Sequence, residues 1–230
     1  MNIAKRTRPI ALISLLAVAG TAQAQFKLPG ALGGSSASAT SATSSDAAVS
    51  QDSLVRTFVA SQTEVLAAQQ ELALAYGLRD QAALIASEQQ ALSSGGVTEA
   101  SQIQTSIQVS DNANAAIAAK QAEQATLSEE GKQHYAASLP HFVKGVAGTR
   151  QLVFEAGKFG ASAKNSMASG GLAGLAGGMT KLKAGAYVAK STSSYSKQVF
   201  DAFRKTVSIG QSSGVKVPAD ATKALTDLSP

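Results

Sequence analysis

The feature that most constrains the fold is an apolar stripe in the last third of the chain. Eleven positions follow one another at alternating steps of three and four residues, the spacing of one face of an α-helix. We interpret the stripe as the buried spine of the fold, within one helix predicted over 169–210. Its members are Leu172, Leu175, Met179, Leu182, Ala186, Ala189, Ser193, Ser196, Phe200, Phe203 and Val207.

Helical spacing also predicts the segments that precede the stripe. Apolar residues between Asp52 and Tyr76 recur at steps of three, four or seven. Gly77 can end that helix in the left-handed conformation, with Asp80 capping the next one, or the helix can kink there without a full break. A third helix with a thin, Ala-rich apolar face is predicted over 98–127.

A fourth helix is predicted to start at residues 128–130, with Pro140 kinking or splitting it. No segment shows the period-2 alternation of a strand over a useful length. The fold class predicted is therefore all-α: an elongated antiparallel helical bundle of about four to five helices. It would form a single domain over 49–230.

The first 24 residues have the organisation of a secretory signal peptide. Basic residues come first, an apolar stretch of 11 residues follows over 10–20, and Ala22-Gln23-Ala24 has the small-x-small form of a cleavage site. The apolar stretch is too short to span a bilayer. We expect cleavage after Ala24 and a periplasmic or secreted location. Residues 25–48 are rich in Ser, Ala and Gly and are predicted to form a flexible tether.

Charge is segregated along the chain. Residues 46–130 contain eleven acids and three bases, a net charge of −8, whereas residues 131–230 contain thirteen bases and four acids, a net charge of +9. Two interpretations remain open: acidic and basic helices pack against each other, or a basic face is exposed to an anionic lipid or another polyanion. The residues that would carry such a face are Lys158, Lys164, Lys181, Lys183, Lys190 and Lys197. Few aromatic residues lie among them, which argues against sequence-specific nucleic-acid binding.

Gly170, Gly174 and Gly178 lie four residues apart in the uncharged segment 167–179. Such a stripe of small residues lets helix backbones approach closely. Three interpretations of the segment stay open: a close helix–helix contact, a flexible loop, or a membrane-inserting tongue.

The sequence offers little that is typical of an enzyme. The chain has no Cys, which excludes thiolate metal sites and a catalytic thiol. His134 and His141 are seven residues apart, too far along a helix for both to bind one ion, so we interpret them as ordinary surface histidines. We expect no catalytic, metal or cofactor site.

The run from Ala73 to Ala83, together with the order of the segments, resembles small exported helical proteins of uncharacterised function from proteobacteria. The resemblance implies an envelope location and a helical fold, and no catalytic residues. We therefore expect a non-enzymatic interaction or scaffolding protein of the cell envelope, with an unknown protein partner. The alternative is a membrane-active or lipid-binding protein that uses the basic half and segment 167–179.

Overall fold

A computed structural model of the chain describes residues 38–94, 99–123 and 126–228, and all of its regular elements are α-helices. The predicted all-α fold is thus confirmed. The signal peptide and most of the tether lie outside the described residues, while the first helix already begins at residue 38, within the predicted tether. The helices are α1 (Ser38–Ala75), α2 (Arg79–Ser93), α3 (Ala100–Ala122), α4 (Glu129–Lys181), α5 (Lys183–Ser212) and α6 (Ala219–Asp227).

The end of α1 confirms the predicted role of Gly77. This residue has a φ of 71°, its N–H bonds the carbonyl of Leu74 at 3.0 Å, and the N–H of Leu78 bonds the carbonyl of Ala73 at 2.8 Å. These two bonds are those of a Schellman motif, which favours glycine because its φ is positive. The prediction for Asp80 was wrong: Asp80 lies in the first turn of α2, and no side chain caps the helix.

The central contact of the fold is the antiparallel pair of α1 and α4. Ser61 lies against Gly148, and Val65 lies against Gly145. A Cβ added at Gly145 would approach Val65 Cγ2 to 2.8 Å, and one at Gly148 would approach Ser61 Cβ to 3.0 Å. The two backbones are therefore close because α4 carries no side chain at these positions.

The third helix of the core, α5, runs antiparallel to α4. Phe142 and Phe203 have ring centroids 6.1 Å apart, and Phe159 contacts the backbone at Gly185. The hydroxyl of the fully buried Tyr135 donates to the carbonyl of Thr206 at 2.8 Å, and burial raises the pKa of this hydroxyl. The chain therefore reverses direction between Phe159 and Gly185.

The prediction of a single helix over 169–210 was wrong. The structure ends α4 at Lys181 and starts α5 at Lys183, with Leu182 between them outside helical geometry. Pro140 does not split α4, which runs through it. The proline ring lies on the exposed side, so solvent can satisfy the carbonyl of Ala136 that loses its partner.

The predicted apolar stripe coincides only partly with the buried face of α5. Ser196, Phe203 and Val207 are buried as predicted, whereas Ala186 and Ser193 are exposed. The residues buried instead include Val188, Thr192, Tyr195 and Val199, which also recur at steps of three and four. Ala and Ser mark neither face clearly, so spacing alone did not distinguish the two stripes.

Polar side chains attach α3 to α1. The Nε2 of the buried Gln62 donates to the carbonyl of Ser106 at 2.9 Å. Gln69 Nε2 donates to Ser110 Oγ at 2.8 Å and to Asn114 Oδ1 at 2.9 Å. The apolar share of this contact is small, consistent with the thin apolar face predicted for α3: Ile103, Ala113 and Ile117 are its buried apolar residues.

The close approach of α1 and α4 can be tested with two glycines of the same helix. Gly145→Ala should lower the free energy of unfolding by about 1–3 kcal/mol, because the added methyl overlaps Val65. Gly157→Ala should raise it by about 0.5–1 kcal/mol, because its Cβ has no neighbour within 4 Å and alanine favours helix. Urea unfolding measures both changes. An equal rise in the free energy of unfolding for both variants would mean that α1 and α4 are further apart than the structure places them.

The buried face of α5 can be tested with its two phenylalanines. Phe203→Ala should cost about 3–5 kcal/mol in urea unfolding, because Phe203 is fully buried against Phe142. Phe200→Ala should cost clearly less, because Phe200 is only half-buried. A larger loss for Phe200→Ala than for Phe203→Ala would mean that Phe200, and not Phe203, lies in the core.

Candidate functional site

Three of the predicted basic residues form a line along α5. Lys183, Lys190 and Lys197 are seven residues apart and exposed, on the side of the helix opposite the buried Val188 and Val199. Lys183 and Lys190 have no ion pair with any described residue, whereas Lys197 Nζ lies 2.7 Å from Asp201 Oδ2. That hydrogen bond lowers the pKa of Asp201.

Two more of the predicted basic residues lie on α4, next to exposed apolar side chains. Lys158 Nζ is 5.3 Å from the ring centroid of Phe154, whose surface is 61% exposed, and Val153 beside it is 47% exposed. Lys164 is exposed and forms no ion pair with the residues that the structure describes. Exposed apolar side chains thus lie beside a lysine on this part of α4.

Four predicted site residues fall in α4 beyond the described side chains. Lys181 and the glycine stripe of Gly170, Gly174 and Gly178 lie between residues 169 and 181, whose side-chain surroundings are outside the described part. Close contacts between α1 and α4 are described instead at Gly131, Gly145 and Gly148.

The acid nearest to these cations is turned inward. Glu155 is 5% exposed and accepts bonds from Ser53 Oγ at 3.1 Å and from Gln151 Nε2 at 2.9 Å. Lys158 Nζ lies 3.3 Å from its Oε1. The sequence contains no other acid between Lys144 and Val199, so the outer faces of α4 and α5 carry no negative side chain over this range.

Ion pairs between different helices of the described part lie on the α1–α4 contact and involve both histidines. His134 Nδ1 is 2.7 Å from Glu71 Oε2, and His141 Nδ1 is 2.7 Å from Glu64 Oε2. Lys144 Nζ also lies 3.6 Å from Glu64. The two glutamates are seven residues apart on α1, and the two histidines are seven residues apart on α4. Both pairs can therefore meet because the two helices are antiparallel. This match in spacing was the sequence signal that could have revealed the bridges.

A cleft of about 390 Å³ opens between α3 and α5. The buried side chains of Leu72, Ile117 and Phe142 lie at its floor. Small residues, Ala118 on one wall and Ala202 on the other, leave the space between the two helices unfilled. Local sequence patterns do not reveal this cleft, because it forms only where four separate helices meet.

The described residues limit the chemistry of these surfaces. Within 38–94, 99–123 and 126–228, no three His, Asp or Glu side chains are grouped to hold a metal ion. Of the helices searched over those residues, none is long and apolar enough to cross a membrane.

The histidine bridges can be tested by a double-mutant cycle on His134→Ala and Glu71→Ala. Both side chains are about one-third exposed, so we expect a coupling energy of about 0.5–1 kcal/mol in urea unfolding. The matched cycle on Lys120 and Glu123, a more exposed pair at the C-terminal end of α3, should give a smaller coupling. A coupling of zero between His134 and Glu71 would mean that the bridge is absent in solution.

Comparisons of the chain with protein-family models, curated proteins and solved structures found no match. Function is therefore inferred from the described side chains and the sequence alone.

Proposed function

We propose that this chain is a non-enzymatic interaction protein of the cell envelope, and that the surface it binds is an anionic lipid membrane. The binding surface would be the cationic region, which we define as residues 150–166 of α4 and 183–197 of α5. The observation that carries the proposal is that Lys164, Lys183 and Lys190 of this region are exposed and have no ion pair with a described residue.

The electrostatic contribution to such binding is substantial. A lysine near an anionic membrane contributes about 1 kcal/mol, so Lys164, Lys183 and Lys190 would contribute about 3 kcal/mol together. Lys158 and Lys197 would contribute less, because each has a carboxylate oxygen within 3.3 Å. The Debye length is about 8 Å at physiological ionic strength and becomes shorter as salt is added. Added salt should therefore weaken the attraction between the lysines and the membrane strongly. Exposed Asp52 and Arg56 of α1 lie at the same end and cancel each other in charge.

Apolar groups supply a second contribution. Phe154 and Val153 are exposed between Arg150 and Lys158, an arrangement suited to the boundary between headgroups and acyl chains. Segment 167–179 begins three residues after Lys164 and contains no charged residue. A peripheral mode of binding fits these features, because amphipathic helices of this kind lie at the membrane surface.

The test is co-sedimentation of residues 25–230 with vesicles of phosphatidylcholine containing 30–40% phosphatidylglycerol, at low and high salt. We expect binding that salt weakens, and no binding to pure phosphatidylcholine. Replacing Lys164, Lys183 and Lys190 with Gln should reduce binding at least tenfold. The matched control replaces Lys120, Lys132 and Lys216, which removes the same charge outside the cationic region.

A second variant separates the two contributions. Phe154→Ser should weaken the part of the binding that persists at high salt, because it removes apolar area but no charge. Equal losses in the test and control lysine variants would show that net charge alone matters. Absence of binding to anionic vesicles would leave a protein partner for the same region, and affinity capture with the mature chain would then identify it.

A further inference from the structure

The cleft between α3 and α5 has charged groups at its two ends and an apolar floor between them. At one end, Asp111 of α3 bonds the side chain of Gln198 of α5. At the other end, Lys205 of α5 borders the cleft next to Thr206. Leu72, Ile117 and Phe142 lie between these ends.

These two charges have no ionic partners among the described residues. Asp201, the other acid at the rim, forms ion pairs of its own. Its Oδ2 lies 2.7 Å from Lys197 Nζ, and its Oδ1 lies 3.2 Å from Arg204 Nη1. Asp111 has the Gln198 amide as its hydrogen-bond partner, and burial raises the pKa of its carboxyl group. An ammonium group bound beside it would favour the ionised form again. Lys205 is exposed and could meet a carboxylate.

The spacing of the two charges selects a class of ligand. Asp111 lies level with Gln198, and Lys205 follows seven residues later along α5, which is about 10 Å of helix rise. A free amino acid carries both charges on one carbon and cannot reach both ends. An extended chain of three residues spans about 10 Å between its termini. The cleft volume of about 390 Å³ lies within the range of small-ligand pockets.

We propose that this cleft binds a short apolar peptide of about three residues with free termini. Asp111 would hold its N-terminal ammonium group and Lys205 its C-terminal carboxylate. The apolar side chains would lie over the floor of Leu72, Ile117 and Phe142. This site is distinct from the cationic region and independent of the membrane proposal.

The test is isothermal titration of residues 25–230 with the tripeptide Ala-Leu-Ala, supported by amide shift changes at Ala118 and Ala202 in NMR spectra. Asp111→Asn and Lys205→Gln should each weaken binding at least tenfold. The same peptide with an acetylated N-terminus and an amidated C-terminus lacks both charges and should lose more affinity than either variant does, and free leucine should not bind. Lys216→Gln, an exposed change outside the cleft, is the control variant.

Ala118→Phe should fill the cleft and abolish binding, and an unchanged circular dichroism spectrum would show that the variant folds. No binding of Ala-Leu-Ala to the unchanged chain would overturn the proposal. So would equal affinity of the capped and free peptides, because the assignment rests on the two charged ends.

Discussion

The close approach of α1 and α4 is the constraint on which the rest of the structure depends. A methyl group at Gly145 or Gly148 would overlap α1, so the short distance between the two backbones exists only because α4 lacks side chains there. Gly131 makes the same approach near the end of α1, where an added Cβ would lie 2.7 Å from the carbonyl oxygen of Ala75. Helix α5 packs on both members of this pair through Phe203 and Tyr195, and α3 attaches to α1.

The register of the α1–α4 pair also sets the distribution of charge. It brings Glu64 and Glu71 opposite His141 and His134, and it places Lys144 3.6 Å from Glu64, so an acid of the acidic half meets a lysine of the basic half at this contact. Lysines further along α4 and α5 lie beyond the reach of those glutamates. A contact between oppositely charged side chains, at Lys144 and Glu64, and exposed lysines without ion pairs to described residues thus occur in different parts of the same molecule.

The contact of α3 differs from the rest of the core, because buried glutamines carry much of it. Gln62 and Gln69 donate to carbonyl oxygens of α3, and such bonds fix position without filling volume. Alanines at the boundary with α5 leave a gap that larger apolar residues would have closed. The cleft is therefore a direct consequence of the Ala-rich composition of α3 and of the facing Ala202.

The sequence by itself determined the helical class, the end of α1 at Gly77 and the burial of Phe203, because these depend on local spacing and backbone conformation. Only the tertiary structure decided which face of α5 is buried. Ala186 and Ser193 fit the three-four spacing as well as Val188 and Thr192 do, and only the positions of α1 and α4 distinguish them. The histidine bridges and the cleft depend likewise on residues from different helices. Their distances follow from packing, which local sequence patterns do not encode.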